Sequence, residues 1–238
     1  MSPKRRLDLL LVERGLAESR AQAQALVMAG RVPGHTKPGE QLDESVELHV
    51  DAPPPYVSRA GHKLANALDA FALDVTGLDC LDVGASTGGF TDVLLQAGAG
   101  RVHAVDVGAG QMAWALRTDP RVVLHDGINA RELAFDAIGE RVDLIVCDVS
   151  FISVTLVLPA ILPLLQPDGQ MVILIKPQFE VGKGQVGKGG IVRDPALHRA
   201  ACDRVQKAVE DFGFITDIME SPIHGAEGNK EFLLHARH

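Results

Sequence analysis

The chain has 238 residues and a net charge of −8, with nearly half of its residues hydrophobic. That length and composition support one or two domains around a substantial core and exclude a disordered chain. A wholesale nucleic-acid coat is excluded as well, but the average hides position. Residues 1–37 carry seven basic groups against three acids, so this segment is +4 and the remainder −12. Cys80, Cys147 and Cys202 have neither metal-ligand spacing nor the even count of a disulfide framework, and they read as core residues of a cytoplasmic protein. The longest nearly apolar run, Phe151 to Leu165, is broken by polar residues and prolines and falls short of the ~20 residues that span a bilayer. Lys4-Arg5-Arg6 leads into Leu7-Asp8, so neither a signal peptide nor a membrane partner is expected.

In chain order, Leu7, Leu9, Leu10 and Leu11 predict a first helix that Gly15 interrupts. Ser19 and Gln22 form a capping box for a second helix, whose apolar set Ala21, Ala25, Leu26, Val27 and Met28 runs to Gly30. A short β segment is expected at Val46–Val50. Arg5, Arg6, Arg20 and Arg31 are fork-shaped donors suited to phosphate. Taken alone, such a charge cluster reads more readily as the solvated face of a helical hairpin. The ordered pattern Arg6-Leu7-Asp8, Ser19-Arg20, Ala25 and Ala29-Gly30-Arg31-Val32, however, resembles the RNA-binding module named after ribosomal small-subunit protein four. That resemblance implies a small α+β domain over residues 1–50 that presents these arginines to RNA. Pro33–Gly39 is shorter than the hairpin that usually follows in that module. Prolines 53–55 make residues 51–58 an extended, semi-rigid linker.

The body, residues 59–238, alternates helical patterns with apolar strands near 79–83, 101–106, 121–125, 142–147 and 170–175, which predicts a doubly wound parallel α/β sheet. Phe214–Glu220 and Lys230–His235 are separated only by Ser221–Asn229, too short for a crossover helix, so an antiparallel edge completes a mostly parallel seven-stranded sheet.

The strand Leu81-Asp82-Val83 runs into Gly84-Ala85-Ser86-Thr87-Gly88-Gly89-Phe90. Gly84 allows a hard turn, and Gly88 and Gly89 would let the backbone approach a ligand. The spacing G-x-x-x-G-G fits neither the dinucleotide fingerprint nor a phosphate loop. It suits S-adenosylmethionine, which has no phosphate and needs acids at its ribose hydroxyls and amino group. Asp82, Asp106 and Asp126, each at a strand end, supply them. The candidate cofactor contacts are Asp82, Gly84, Ser86, Thr87, Gly88, Gly89, Phe90, Asp106, Asp126 and Asp148. Two further polar residues end strands, Asp148 after Leu144–Cys147 and Lys176 after Met171–Ile175, where ligands of such sheets sit. Arg59 and Lys63 are one helical turn apart, and Glu231 opens the last strand; by residue type alone each is an ordinary surface charge. Gly182–Gly190 reads G-x-x-x-x-G-K but lacks the Ser or Thr of a phosphate loop, and suits a flap over an RNA backbone or a plain flexible loop. Trp114 is expected to pack. The histidines show no metal pattern, and no metal is expected.

The ordered set Tyr56-Val57-Ser58-Arg59-x-Gly61-x-Lys63-Leu64, Asp82-x-Gly84–Phe90, Asp148-x-Ser150-Phe151-Ile152-Ser153, Lys176-Pro177-Gln178-Phe179-Glu180 and Gly228-Asn229-x-Glu231 resembles the TlyA family along nearly the whole chain. The family carries the name haemolysin and has an FtsJ-like, Rossmann-like methyltransferase domain behind the RNA-binding head. The resemblance implies S-adenosylmethionine-dependent 2′-O-methylation of ribosomal RNA, on a cytidine, with a catalytic tetrad at Lys63, Asp148, Lys176 and Glu231, and with ribosomal RNA or subunits as partners. Arg59 joins the head arginines as an RNA contact. A ribose hydroxyl must lose its proton as it attacks a sulfonium methyl, so the site needs a base and a cationic surrounding. Lys176 is the expected base, Lys63 its cationic neighbour, and Asp148 and Glu231 orient them. Two rival readings are a membrane-active haemolysin, for which no spanning segment or strongly basic amphipathic helix is visible, and a non-catalytic RNA-binding assembly factor, which the intact tetrad disfavours.

Overall fold

The structure is a computed structural model that describes residues 4–225 and 227–238; residues 1–3 of the expected head, Ala226 and the Lys183 side chain lie outside the described residues. The chain divides into two units, Met1–Pro55 and Tyr56–His238.

In the head, strand β1 (Lys4–Arg6) leads directly into helix α1 (Leu7–Glu13), followed by α2 (Arg20–Met28) and β2 (Gln41–Asp43). Ser19 caps α2 by accepting from the Gln22 amide, while the Gln22 side chain accepts from Glu18 N, so the capping box closes one residue early. Gly30, at φ +70°, ends α2: its amide donates to Val27 O and that of Arg31 to Leu26 O, which satisfies two orphan carbonyls. The strand that pairs with β1 is Gln41–Asp43, antiparallel with Lys4 opposite Asp43, and not Val46–Val50. The apolar alternation at 46–50 has another cause. Leu48 and Val50 pack on the helical core of Leu7, Leu11, Ala23 and Val27 without forming a ladder.

Beneath this small core is a buried carboxylate. Asp8 accepts from Arg6 Nε at 3.0 Å and Nη2 at 2.8 Å, from Arg20 Nε at 3.0 Å and from Gln24 Nε2 at 2.8 Å. Arg6 foremost, then Gln24 and Arg20, hold the Asp8 carboxyl well below the usual carboxylate range against the opposing effect of burial. One acid therefore ties α1, α2 and the end of β1 together.

The body is a single sheet of order β5-β4-β3-β6-β7-β9-β8. Its strands are β3 (Asp79–Val83), β4 (Arg101–Asp106), β5 (Val122–Asp126), β6 (Val142–Cys147), β7 (Leu165–Ile175), β8 (Ile215–Glu220) and β9 (Phe232–Arg237). Pairings from β5 through β7 are parallel, while β9 runs antiparallel to both β7 and β8, so the expected antiparallel edge is the β8–β9 hairpin. Successive residues of the central strands feed opposite faces: Leu144, Val146 and Val172 one core, Ile145, Cys147 and Ile173 the other. Helices α3 (Ala60–Ala70), α4 (Gly89–Gln96) and α5 (Trp114–Arg117) cover the first face; α6 (Phe135–Ile138), α7 (Leu158–Ile161) and α9 (Pro195–Glu210) cover the second. A one-turn helix, α8 (Pro177–Glu180), follows β7. This two-sided cover explains why the strands read as nearly continuous apolar runs. All three cysteines are buried and free.

Trp114 departs from expectation. It is 77% exposed, because the four-residue α5 turns only Leu116 into the core. Tyr56–Ser58, which the proline-rich composition assigns to the linker, pack on the body instead: Val57 N donates to Asp92 Oδ2 at 2.8 Å, and Tyr56 lies where a side chain on Gly61 would stand.

Asp8→Asn is expected to destabilise the head by about 1.5–3 kcal/mol, the range for hydrogen bonds to a charged group. Hydrogen exchange of α1 and α2 amides at neutral pH measures it, and unchanged protection would contradict it. Because the folded carboxyl titrates below its unfolded value, the ionic stabilisation is complete above about pH 4 and is lost as pH falls, so the difference between the two proteins narrows in acid.

Candidate active site

Strand order reverses at β3: the chain lays β4 and β5 to one side, then crosses to place β6 and β7 on the other. The crevice at such a reversal, beyond the carboxyl ends of the strands, is where ligands of doubly wound sheets bind. Gly84 follows β3 at φ +88°, and a Cβ there would stand 2.4 Å from the Asp148 carbonyl oxygen. The glycines at 88 and 89 also meet the protein itself. A Cβ at Gly88 would strike Leu116 Cδ1 at 2.3 Å and one at Gly89 would strike Ser58 Oγ at 2.2 Å. Gly88 moreover adopts φ +94°, which residues with a side chain rarely take, and Gly89 lines the smaller cavity described below.

The acids divide. Asp106 holds the loop, accepting from Ser86 N at 2.8 Å and Gly108 N at 2.7 Å. Its residue lines a cavity of about 480 Å³ with Gly84, Ser86, Gln111, Asn129 and Asp148. Asp126 is turned aside: it accepts from Gly110 N at 3.1 Å, faces Arg117 Nη1 at 3.6 Å and does not line that cavity. Asp82 lies beneath the loop, because strand alternation points it with Cys80 toward α4. It is fully buried and accepts from Thr91 Oγ1 at 2.7 Å, and its other oxygen has no hydrogen-bond partner. Burial, with the charges of Asp148 and Asp106 adding, pushes its pKa up to about 7. Phe90 is almost wholly buried in the core. Gln111, Asn129 and Arg131 were not singled out from sequence; their one legible signal is polarity just after β4 and β5.

A second cavity of about 160 Å³ is lined by Ser58, Gly84, Ser86, Thr87, Gly89, Phe90, Asp148, Ser150 and Lys176, and it shares Gly84, Ser86, Asp148 and Ser150 with the first. On its wall Lys176 Nζ lies 2.5 Å from Asp148 Oδ1 and donates to Ser150 Oγ at 2.6 Å. Lys63, on α3, forms an ion pair with Glu231 at the start of β9, and both are buried. Gly225 makes room for that carboxylate, since a Cβ there would lie 2.4 Å from Glu231 Oε1. The four charged residues thus stand as two lysine–carboxylate pairs. Arg59 parts from Lys63: it is exposed and reaches the His224 carbonyl at 3.5 Å.

Phe151 sits at the rim, 93% exposed, with φ +65° and its ring 5.3 Å from that of Phe179. Sequence reading placed Ser150 and Phe151 in a motif without giving either a role. The Gly182–Gly190 loop is fastened at one end, where Asn229 Nδ2 donates to Gly190 O at 2.9 Å and Asn229 Oδ1 accepts from Val192 N at 2.9 Å. In the head, Arg5 pairs with Glu44 at 2.9 Å and also with Glu13, and Arg31 Nε donates to Asp51 O at 2.9 Å. Together with Arg6 and Arg20 on Asp8, every expected RNA-facing arginine of the head is held by a partner within the head.

A doubly wound sheet with an acid at the end of β4 and its reversal between β3 and β6 is the fold of S-adenosylmethionine-dependent methyltransferases. The family model described as FtsJ-like methyltransferase matches residues 56–238, and that of the S4 domain matches residues 5–32. The chain is 49% identical to the 16S/23S rRNA (cytidine-2′-O)-methyltransferase TlyA of Mycobacterium tuberculosis, over 100% of this chain and 91% of that protein. It is 41% identical to Hemolysin A of Brachyspira hyodysenteriae, over 97% of this chain and 98% of that one. A solved structure of a protein named as a hemolysin, from Streptococcus thermophilus, superimposes with a TM-score of 0.76 at 44% identity, covering 100% of this chain and 89% of that chain. The chain belongs to the TlyA family of FtsJ-like methyltransferases. Among the described residues no helix is long and apolar enough to cross a membrane.

The raised pKa of Asp82 has a consequence for stability. Between its ordinary value of 3.8 and about 7 the folded protein keeps a proton that the unfolded chain has released, so stability falls as pH rises through that window. Asp82→Asn keeps an acceptor for Thr91 and removes the titration. Its melting temperature should fall less than that of the native protein between pH 4 and 7.5; parallel curves would refute the assignment.

Proposed function

We propose that the protein transfers a methyl group from S-adenosylmethionine to a ribose 2′-hydroxyl of ribosomal RNA, on a cytidine, in the cytoplasm. The observation that carries this reading is Lys176 Nζ, held between Asp148 and Ser150 on a cleft wall shared with the Gly84–Gly89 loop. The cofactor fits the residues present. The cavity of about 480 Å³ is lined by the polar residues Asp106, Gln111, Asn129 and Asp148 together with the apolar Val107, Ile128 and Ile152. Asp106, Asn129 and Gln111 would hold ribose and adenine polar groups. The backbone of Gly84–Ser86 would lie along the amino-acid part. When bound, the cofactor supplies a methyl group already activated by a sulfonium charge.

Every other task belongs to the chain. Lys176 Nζ, once it has given up one of its own protons to solvent, accepts the proton of the attacking hydroxyl, and Asp148 fixes where that nitrogen stands. Lys63, kept in place by Glu231, contributes positive charge for the alkoxide that develops at the hydroxyl oxygen. The surrounding loops exclude water and set the approach in line, which is where most of the acceleration arises for so reactive a donor. Phe151 presents an open ring face at the rim, suited to stack on an unpaired base. In the head, Arg5, Arg6 and Arg20 remain between a third and just over half exposed although paired. They would meet phosphate already positioned, with Asp8 ordering two of them. Arg31 and Arg59 extend the contact. Asp82 supports the loop from below and takes no direct part in this scheme.

The test is incubation with labelled S-adenosylmethionine and separate, unmodified small and large ribosomal subunits, with nuclease digestion and mass spectrometry to locate the label. Label on a cytidine 2′-oxygen is expected. Lys176→Ala should lose at least about 100-fold in turnover, while cofactor affinity is retained. A variant that kept most of its turnover would remove Lys176 from the role of base. Cofactor binding with no label on either subunit would favour the RNA-binding assembly factor.

A further inference from the structure

Glu180 is a buried carboxylate that the proposed chemistry does not use, 3% exposed and four residues beyond Lys176. Both of its oxygens are engaged from across the crevice. Oε1 accepts from Val154 N at 2.8 Å, and Oε2 lies 2.6 Å from Ser153 Oγ. Ser153 in turn stands 2.7 Å from Thr155 Oγ1 and accepts from Thr155 N at 3.3 Å, so the bracket closes on the first turn of the 3₁₀ helix Val154–Leu156. On its own side Glu180 is anchored through its carbonyl, which accepts from Arg204 Nη1 of α9 at 2.8 Å. The bracket therefore joins the segment after β6, which carries Asp148, Ser150 and Phe151, to the segment after β7, which carries Lys176 and Phe179.

We propose that Glu180 is a positioning residue for methyl transfer: its bracket locks the β6 loop to the β7 loop and so holds Asp148 and Ser150 against Lys176. The inference rests on the role given to Lys176 above. Two physical points support it. Phe151 adopts φ +65°, a left-handed conformation that is strained for a bulky side chain and persists only where neighbours over-determine it; the bracket lands on the second and third residues after it. A carboxylate this far from water is also destabilising unless its acceptors are filled, and here both are filled by one loop. Burial raises the pKa of Glu180. Ionised, it accepts from Ser153; protonated, it can donate to the same hydroxyl. Glutamine can make that donation as well, and is the fair mimic.

Glu180→Ala, Glu180→Gln and Ser153→Ala, made in the full chain, test this by two independent readouts. In hydrogen exchange without cofactor or RNA, Glu180→Ala should exchange its Val149–Leu156 amides at least about 10-fold faster while β6 keeps its protection; Glu180→Gln should match the native protein. In methyl transfer to ribosomal subunits, Glu180→Ala should lower kcat by about 10- to 100-fold, with the cofactor Kd changed less than about 3-fold. Glu180→Gln should restore kcat to within about 3-fold. Ser153→Ala, which removes one arm of the bracket, should fall between, and it carries the test if Glu180→Ala does not fold. Unchanged exchange in the β6 loop, a glutamine variant as poor as alanine, or loss of cofactor affinity in step with kcat would each overturn the proposal. If the native protein transfers no methyl group, the proposed function fails, while the exchange experiment still decides whether Glu180 locks the two loops.

Discussion

The site depends on how closely β3 and β6 come together at their carboxyl ends. Asp148 N continues the β3–β6 ladder by donating to Val83 O at 2.9 Å, and the Asp148 carbonyl occupies the space a side chain at position 84 would need. Gly84 is thus required twice, by its positive φ and by this contact. A side chain there would push the end of β6 outward, and Asp148 and Ser150 would move away from Lys176, which enters from the neighbouring strand. The glycine-rich loop then turns back on backbone bonds to Asp106. One steric condition sets the position of the cleft, and the polar contacts elaborate it.

Buried carboxylates divide by what meets their oxygens: Asp8 and Glu231 face cations, Asp82 and Glu180 neutral donors. Asp8 is covered but surrounded by two guanidiniums and an amide, and Glu231 is covered but paired with Lys63. Each pair trades the cost of desolvation against a fixed geometry, and removing one partner would leave an uncompensated charge. Asp82 is met only by Thr91, through its hydroxyl and its backbone, and has two acids among its neighbours. Its carboxyl responds as an isolated buried acid does, by holding its proton to higher pH. The support under the loop therefore passes from protonated to ionised across neutrality.

Much of this was legible in the sequence because it rests on short-range rules. Strand after strand appears as an apolar run because both faces are covered, and the antiparallel end follows from the short gap between the last two strands, eleven residues in the structure and too few for a crossover helix. Strand-end position singled out Asp148 and Lys176 on physical grounds. Lys63 and Glu231 did not stand out physically, since nothing local distinguishes a buried lysine at the start of a helix from an exposed one; only the ordered motif pointed to them. The misreadings share a cause. Trp114 faces water and Val46–Val50 packs without a ladder, and each outcome is decided by a neighbour distant in sequence. Asp126 has the strand-end position of a cofactor acid, but Arg117 and Gly110 engage its side chain away from the cavity.

The division of charge along the chain fits the two partners proposed for it. S-adenosylmethionine is cationic at its sulfonium and amino group, and RNA is polyanionic, so one surface cannot favour both. Asp106 and Asp148 border the cavity that would hold the cationic molecule, and Lys176 beside it is matched by Asp148. The basic surplus of the head is confined to residues 1–37, at +4; four acids and no Lys or Arg in residues 38–50 bring residues 1–50 to zero. What the head offers to phosphate is therefore individual arginines and not a net field. A second basic stretch lies in the body itself, where Lys183, Lys188 and Arg193 follow Lys176 with no acid from Val181 to Arg193. Attraction between exposed charges fades within about 8 Å at physiological salt, so each of these blocks would act on the phosphates it touches.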